Sequence, residues 1–419
     1  MNASTFFKQT LLALTLAGLA SGPHAQALQD WLPSSAQIAP VLQANPAIQA
    51  ARAHQDAQLQ RARGVEAGSG EWALRLNQQQ RRVRDPQERF AESTVALERP
   101  LRLWGKAGMD TRLAEQDRQV ARIGLADALH EASRQLLSQW FGAWRTQLEA
   151  DSAERELQLA RELERQARTR LRQGDISQLD ARLAEAEWQR SQANARLAQA
   201  ERERSAALLQ RLYPGLPAQL PLPTTGPELP TLGADMATAL QYFLAHNHEL
   251  NLLKAEALRQ QQLAERLERD RWPDPTVGLF SARDRAGAEQ VVGVSVAVPL
   301  SGTWRESQAH AAASEAQAMQ DKVQQVERQL ASDFEGRWLQ AMHQQQALAA
   351  LQTAAATQRL AADKSLMAYT LGEHSMTELI QNRRLANEQH LASQRLRLDW
   401  LLNRALIELD AHRLWDLDD

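Results

Sequence analysis

Apolar and polar positions along this chain follow two alternating programmes, one of long helices and one of short strands. Over 106–173 the sequence is Ala, Leu, Gln, Arg and Glu with no proline, interrupted only by the isolated Gly108, Gly124 and Gly142, each tolerable in a helix interior. At 1.5 Å per residue this predicts a rod about 100 Å long, far beyond an ordinary globular helix. Gly174-Asp175-Ile176-Ser177 reads as a turn, and helix resumes to Leu212, before Tyr213-Pro214-Gly215. In the returning helix Ile176, Leu179, Leu183, Ala186, Ala193, Leu197 and Ala200 keep three-four spacing, with Arg190 interrupting. That spacing predicts a coiled-coil seam of small and medium side chains. Prolines at 214, 217, 221, 223, 227 and 230 then mark a linker. Beyond it the programme starts again: helix over 235–271, a non-helical block to Thr303, and a second long helix from Trp304 to Thr370. A turn at Leu371-Gly372-Glu373-His374-Ser375 follows, then a last helix to about Trp415.

Within the two non-helical blocks the period changes to two. Trp72, Leu74 and Leu76 alternate with Ala73, Arg75 and Asn77; after a polar loop from Gln80 to Glu92, Val95 and Leu97 alternate with Thr94, Ala96 and Glu98. In the second block Val277 and Leu279 lead into Phe280 and a charged loop at Arg283-Asp284-Arg285. Val292, Val294, Val296 and Val298 then alternate with Gly293, Ser295 and Ala297. One apolar face against one small or polar face, in paired strands of about ten residues, is the pattern of a transmembrane barrel. An amphipathic hairpin lying on a soluble core has the same alternation. Each hairpin ends in Pro-Leu, at Pro100-Leu101 and Pro299-Leu300. Proline lacks a ladder donor and has a preset φ, which suits a strand-to-helix junction.

The two halves align. Trp140 matches Trp338 and Gly174 matches Gly372, each 198 positions apart; Pro100-Leu101 matches Pro299-Leu300 at 199, and Asn45 matches Asn247 at 202. This regularity implies duplication, with a first repeat over 28–213, the linker over 214–234 and a second repeat over 235–419.

Composition narrows the class. Lys8, the apolar run Leu11–Leu19 and the small-x-small site Ala25-Gln26-Ala27 read as a secretory signal peptide over 1–27, too short to span a bilayer. With no cysteine in the chain, an exported protein has no disulfide framework and no thiol to carry a lipid. Aromatic residues make up only 5%, so large core side chains are few and long helices are favoured. Every later apolar run is broken by Arg, Gln or Glu, so any membrane contact must use strands. The net charge of −3 speaks against a nucleic-acid binder.

Signal peptide, then twice over helix, β-hairpin, long helix, glycine turn and returning helix: this order resembles the TolC-type outer-membrane efflux proteins. The motifs carrying the resemblance are Asn45-Pro46, Trp272-Pro273-Asp274-Pro275, the two Pro-Leu pairs, the turns Gln173-Gly174-Asp175 and Leu371-Gly372-Glu373, and Leu212-Tyr213-Pro214-Gly215. The implied fold is mostly α with a membrane β-barrel contribution, its duplicated repeats forming a trimeric channel-tunnel. The implied function is that of the outer-membrane channel of a tripartite efflux system. As homotrimer partners the resemblance implies a periplasmic adaptor, an inner-membrane pump and outer-membrane lipid. It further implies an outer-membrane location with a long periplasmic portion. Gly174, Asp175, Gly372 and Glu373 would form periplasmic tips that meet the adaptor. Asp180, His374, Glu378 and Gln381 would line the pore gate, with His374 at a position that can carry a gate-locking arginine. The acids Asp180 and Glu378 also suit the first turn of a helix, where the dipole favours them. The missing lipidation cysteine and Arg172-Gln173-Gly174-Asp175 look similar to the heavy-metal branch of the family.

Other constellations carry no chemistry. His246 and His248 stand two apart, so on one helix they would face different sides and read as a surface pair, with no metal site expected. Trp140, Phe141 and Trp144, matched by Phe334 and Trp338, read as packing. The blocks Arg161–Arg172 and Arg182–Arg204 alternate in charge and suit solvated faces. No phosphate loop, nucleophile elbow or zincin pair occurs, so no catalytic residue or cofactor is expected. The rival readings are a periplasmic adaptor, which has one helical hairpin flanked by soluble β-domains, and an exported structural coiled coil.

Overall fold

The structure is a computed structural model that describes residues 28, 31–103, 105–217, 220 and 235–415. The signal peptide at 1–27 and positions 218–219 and 221–234 of the linker lie outside the described residues.

Each repeat opens with a pair of helices, the second of them capped by asparagine. In the first, α1 (Ser35–Gln43) leads to α2 (Pro46–Ala67), where the Asn45 carboxamide accepts a bond from the Ala47 amide at 2.9 Å and Pro46 takes the first helical position. In the second, α5 (Met236–His246) and α6 (His248–Asp270) meet at Asn247, whose side chain accepts from the Leu250 amide at 2.8 Å. The sequence suggested one helix over 235–271; the structure breaks it, because Asn247 gives an orphan amide a partner and adopts extended backbone. The matched Asn45 and Asn247 are therefore the same cap used twice.

The strands β1 (Ala73–Val83), β2 (Glu88–Pro100), β3 (Thr276–Asp284) and β4 (Glu289–Ala297) form one antiparallel sheet in the order β1-β2-β3-β4. Both hairpins, nearly 200 positions apart in sequence, are thus joined through β2 and β3, with Leu97 opposite Leu279. The polar loop expected from Gln80 to Glu92 is mostly strand, and only 84–87 turn. Ladder bonds need no apolar side chain, so the pairing runs on through Gln79, Arg81 and Glu92 after the apolar alternation stops.

Two helical rods of equal length follow the strands: α3 (Lys106–Gln173) and α7 (Thr303–Thr370), 68 residues each. Their returning partners, α4 (Gln178–Leu212) and α8 (Met376–Asp410), are 35 residues each. The main core lies midway along the rods, where Trp31, Trp140, Phe141, Trp144, Leu209, Trp400 and Trp415 pack together. Trp140 Nε1 donates to the Trp31 carbonyl at 2.7 Å and Trp415 Nε1 to that of Pro33 at 3.1 Å, so the first and last described segments are fastened there. Phe334 and Trp338 form the matching cluster with Phe243, stacked on Phe334 at 4.7 Å.

The seam read from α4 is not what the protomer buries. Leu179 is 68% exposed and Leu197 71%, while Ala184, Glu187, Ser191 and Ala195 are the buried positions. That smaller, more polar face packs on α3 and reaches the second repeat through the ion pair of Glu187 with Arg384 of α8. The apolar stripe at Leu179, Ala186, Ala193 and Ala200 keeps heptad spacing and faces outward. The charge-alternating blocks behave as expected, with exposed pairs such as Arg165–Glu162 at 2.7 Å and Arg182–Glu185 at 2.9 Å.

Candidate functional site

The sheet sorts its side chains by parity. Leu74, Leu97, Leu279 and Val294 are register partners across the four strands, and Leu76, Val95, Ser281 and Val292 form the next row. The apolar members of these rows stand exposed together with Val296 and Val298. The opposite face carries Arg75, Ala96, Phe280 and Gly293 in one row and Ala73, Glu98, Gly278 and Ser295 in another. There Arg75 pairs with Glu98 at 2.9 Å, and the Phe280 ring covers Gly293, where a Cβ would lie 2.7 Å from it. A water-soluble sheet would place these faces the other way round. Both edges, β1 and β4, pair on one side only among the described residues.

Below the strands lies a collar of exposed Trp72, Trp272, Trp304 and Leu300, the last 92% exposed. Under it, at the strand-to-helix junction, Lys106 is fully buried. Its ammonium lies 3.0 Å from carboxylate oxygens of Asp270 and Asp274 and donates to the Trp272 carbonyl at 2.6 Å. Asp274 also accepts from the Leu103 amide at 3.0 Å. Arg102 of the first repeat and Arg266 of the second both bind Asp110. Burial raises the Asp270 carboxyl, but Arg266 and Lys106 outweigh it and hold the group below its usual range. The Trp-Pro-Asp-Pro segment is thus a bolt that fixes the second hairpin to the first rod.

At the far end of the rods, Gly174 and Gly372 both take φ of +81°, the left-handed helix stop that glycine adopts without a Cβ penalty. The Asp175 amide donates to Arg170 and the Glu373 amide to Ala368, each at 2.9 Å, closing the same Schellman turn. Ser177 and Ser375 then cap the next helices, accepting from the amides of Asp180 at 3.1 Å and Glu378 at 3.2 Å. Glu378 completes a capping box by accepting from the Ser375 amide at 2.8 Å, and that bond, with the Ser375 hydroxyl, holds its carboxyl below the usual range. Gly174, Asp175, Gly372, Glu373, His374, Glu378 and Gln381 are all exposed, and Asp180 is half-buried. His374 faces its own rod, its Nδ1 3.2 Å from the Ser365 hydroxyl.

The two tips are packed together. Leu163, Ala167 and Ala184 from the first meet Tyr369, Met376, Leu379 and Ile380 from the second. Tyr369 escaped the sequence reading. Arg170 lies 5.2 Å over its ring, and its hydroxyl is buried without a hydrogen-bond partner among the described residues. Burial pushes its phenol pKa up, with Arg170 opposing and Asp180 reinforcing, so Asp180 sits within electrostatic reach of the second tip. Also missed was a histidine cluster: His130, His248 and His412 have ring centroids 4.8–5.8 Å apart, and His246 lies 6.3 Å from His412. Its members come from three distant stretches, so no sequence spacing signals it. Among the described residues no group of three or more His, Cys, Asp or Glu is arranged to hold a metal ion, and no helix is long and apolar enough to cross a membrane.

This architecture is known. The outer-membrane channel OprN superposes with a TM-score of 0.73 at 16% identity, over 94% of this chain and 90% of that one. CusC, solved in a study of folding and transmembrane channel formation, gives 0.71 at 12% identity, over 93% and 91%. The CmeC outer membrane channel of Campylobacter jejuni gives 0.68 at 12%, over 93% and 85%. No family profile and no curated protein matches the chain by sequence. The fold is that of the outer-membrane channel proteins, over nearly the whole described chain.

Proposed function

We propose that the chain is one protomer of a homotrimeric outer-membrane channel that passively conducts solutes outward from an inner-membrane pump and its periplasmic adaptor. The observation that carries this is the open four-stranded sheet with its apolar face exposed. Open edges cannot stand in lipid, and four strands cannot close a barrel. Three copies would supply twelve strands, four each, within the range of closed membrane barrels. The outward heptad stripe on α4 suits the same assembly, because a neighbouring protomer covers it. The mature chain is divided as repeat 28–213, linker 214–234 and repeat 235–419, and acts as a conduit with no catalytic role.

In this reading the Gly174-Asp175 and Gly372-Glu373 turns contact the adaptor, and Asp180, His374, Glu378 and Gln381 border the constriction. The tip's acids favour cations, and the resemblance to the heavy-metal branch makes metal cations the preferred class of solute. Fractionation tests the proposal: the mature protein is expected in the outer membrane as a heat-modifiable trimer. Recovery as a soluble, monodisperse monomer would reject it.

A further inference from the structure

The helices stand in the same row as the strands above them. The sheet runs β1-β2-β3-β4. Below it α2 packs on α3, α3 on α6 and α6 on α7; toward the tips α4 packs on α3, α3 on α8 and α8 on α7. Every layer therefore begins with the first repeat and ends with the second, and α4 and α7 are the end members of the lowest one. Both end helices carry an exposed stripe of strict seven-residue spacing. On α4 it is Leu179, Ala186, Ala193, Ala200 and Ala207; on α7 it is Leu339, Gln346, Thr353, Leu360 and Met367. Each stripe points away from its own protomer. Ala193 is 9 residues from the buried Ala184, and Thr353 is 9 from the buried Ala362, which at 3.6 residues per turn sets them on opposite sides of the helix.

A seven-residue repeat is the pattern by which one helix seats against another, yet among the described helices the row ends at α4 and at α7. The two stripes match each other. α4 climbs from Gly174, α7 descends to Gly372, and the two turns are packed together. Leu179 stands 5 residues past Gly174 and Met367 5 before Gly372; Ala186 and Leu360 stand at 12, Ala193 and Thr353 at 19, Ala200 and Gln346 at 26, Ala207 and Leu339 at 33. At every level above the first, α4 offers alanine, which leaves room for the larger side chain of α7. We propose that the α4 stripe of one protomer seats antiparallel on the α7 stripe of a second copy of this chain, level by level from the tip glycines. Two different faces at opposite ends of one protomer make a head-to-tail contact, the kind that generates a closed ring. The same two ends carry the free strand edges β1 and β4, so barrel and tunnel close along one seam. From Leu179 to Ala207 the seam spans about 40 Å at 1.5 Å per residue, which seals the wall next to the tips against loss of solute between protomers. The inference rests on the trimer reading and names the surfaces that join its protomers below the strands.

The test uses two forms of the full-length chain, which has no native cysteine. One carries Ala193→Cys; the other carries Thr353→Cys and a longer affinity tag. They are expressed separately and together, oxidised in intact cells, and resolved by size without reductant. A disulfide needs Cα atoms about 4.4–6.8 Å apart. A cross-linked dimer of mixed size is expected from the co-expressing cells, and none from either form alone. Using Gln346→Cys in place of Thr353→Cys moves the thiol one heptad, about 10 Å, along the helix and is expected to abolish the cross-link. A dimer from Ala193→Cys alone, or equal cross-linking at Gln346, overturns the pairing of α4 with α7. Heat-modifiable outer-membrane trimers with no cross-link in either mixture overturn the seam while the channel reading stands. A protein recovered only as a soluble monomer overturns both.

Discussion

Protonation of His130 gives the account a stability test that does not depend on transport. The ring is 12% exposed and lies between α3, the α5–α6 joint and the end of α8. Its Nδ1 accepts from Arg134 Nε at 3.4 Å and its Nε2 donates to the Leu409 carbonyl at 3.4 Å, so the bonding pattern is that of the neutral ring. Burial first, then Arg134 and His248, push its pKa down from 6.5 to about 3. Asp410 lies 3.7 Å away but is bound by both Arg134 and Arg337, which offset its pull. A native pKa below the unfolded one means that the unfolded chain takes up a proton the native state refuses. Stability is therefore full above pH 6.5 and falls as pH drops toward 3. At about 1.36 kcal/mol per pH unit, moving from pH 7.5 to 5.0 costs about 2 kcal/mol per protomer. His130→Gln removes this term while keeping a polar group, and the carboxyls that burial raises, such as Asp410 and Asp127, cancel in the comparison. Denaturant unfolding in detergent, followed by circular dichroism, should show wild type losing about 2 kcal/mol more than His130→Gln between those pH values. Parallel pH profiles for the two proteins would refute the reasoning.

Val294→Arg, on the exposed apolar face, should cost about 2–4 kcal/mol of barrel stability and cut outer-membrane abundance, while Ser295→Arg should insert normally; the reverse result inverts the face assignment. Lys106→Met leaves the half-buried carboxylates of Asp270 and Asp274 each short of one partner and should lower stability by about 1–3 kcal/mol. Adding Asp274→Asn should restore part of that, and additive losses would show that the pair does not act as a unit. Gly174→Pro or Gly372→Pro should abolish export without reducing outer-membrane abundance, because the strained turn is remote from the strands; joint loss of both would assign the turns to folding. The double change Asp180→Asn/Glu378→Gln should reduce cation preference in planar bilayers at low salt, with the effect shrinking near 1 M, where the Debye length is about 3 Å. Unchanged selectivity would leave both acids as helix caps alone.

Most of the architecture is legible in the sequence because its signals are local. A rod needs only the absence of breakers, and α3 ends at Gln173 because Gly174 supplies a left-handed stop. The Val292–Val298 alternation likewise fixes which face of β4 is apolar. The errors come where a partner decides. The α4 stripe from Leu179 to Leu197 reads as a buried seam, yet the protomer buries Ala184, Glu187 and Ser191, since α3 packs on that face and Arg384 of α8 pairs with Glu187. The polar stretch around Gln80 and Glu92 reads as loop, yet it pairs as strand through backbone bonds that composition does not reveal. Of the candidate site, the glycines are visible through their backbone requirement. The Asp180 and Glu378 caps follow from serine three residues earlier. Tyr369 and the histidine cluster are not visible, because their neighbours come from distant stretches of the chain, Arg170 and Leu163 for Tyr369 and His248 and His412 for His130.

Closure of the barrel between protomers is the central claim, and the absence of native cysteine makes it directly measurable. A cysteine at Leu76 on the free edge β1 is combined in turn with one at Gln290, Val292 or Val294 on the free edge β4, and cells are oxidised before membranes are run on a non-reducing gel. A disulfide needs Cα atoms about 4.4–6.8 Å apart, so only edges paired as neighbouring strands can form one. The account expects one register to cross-link efficiently, giving dimer and trimer bands and nothing larger. Monomers in every register, or a ladder running past the trimer, would contradict it.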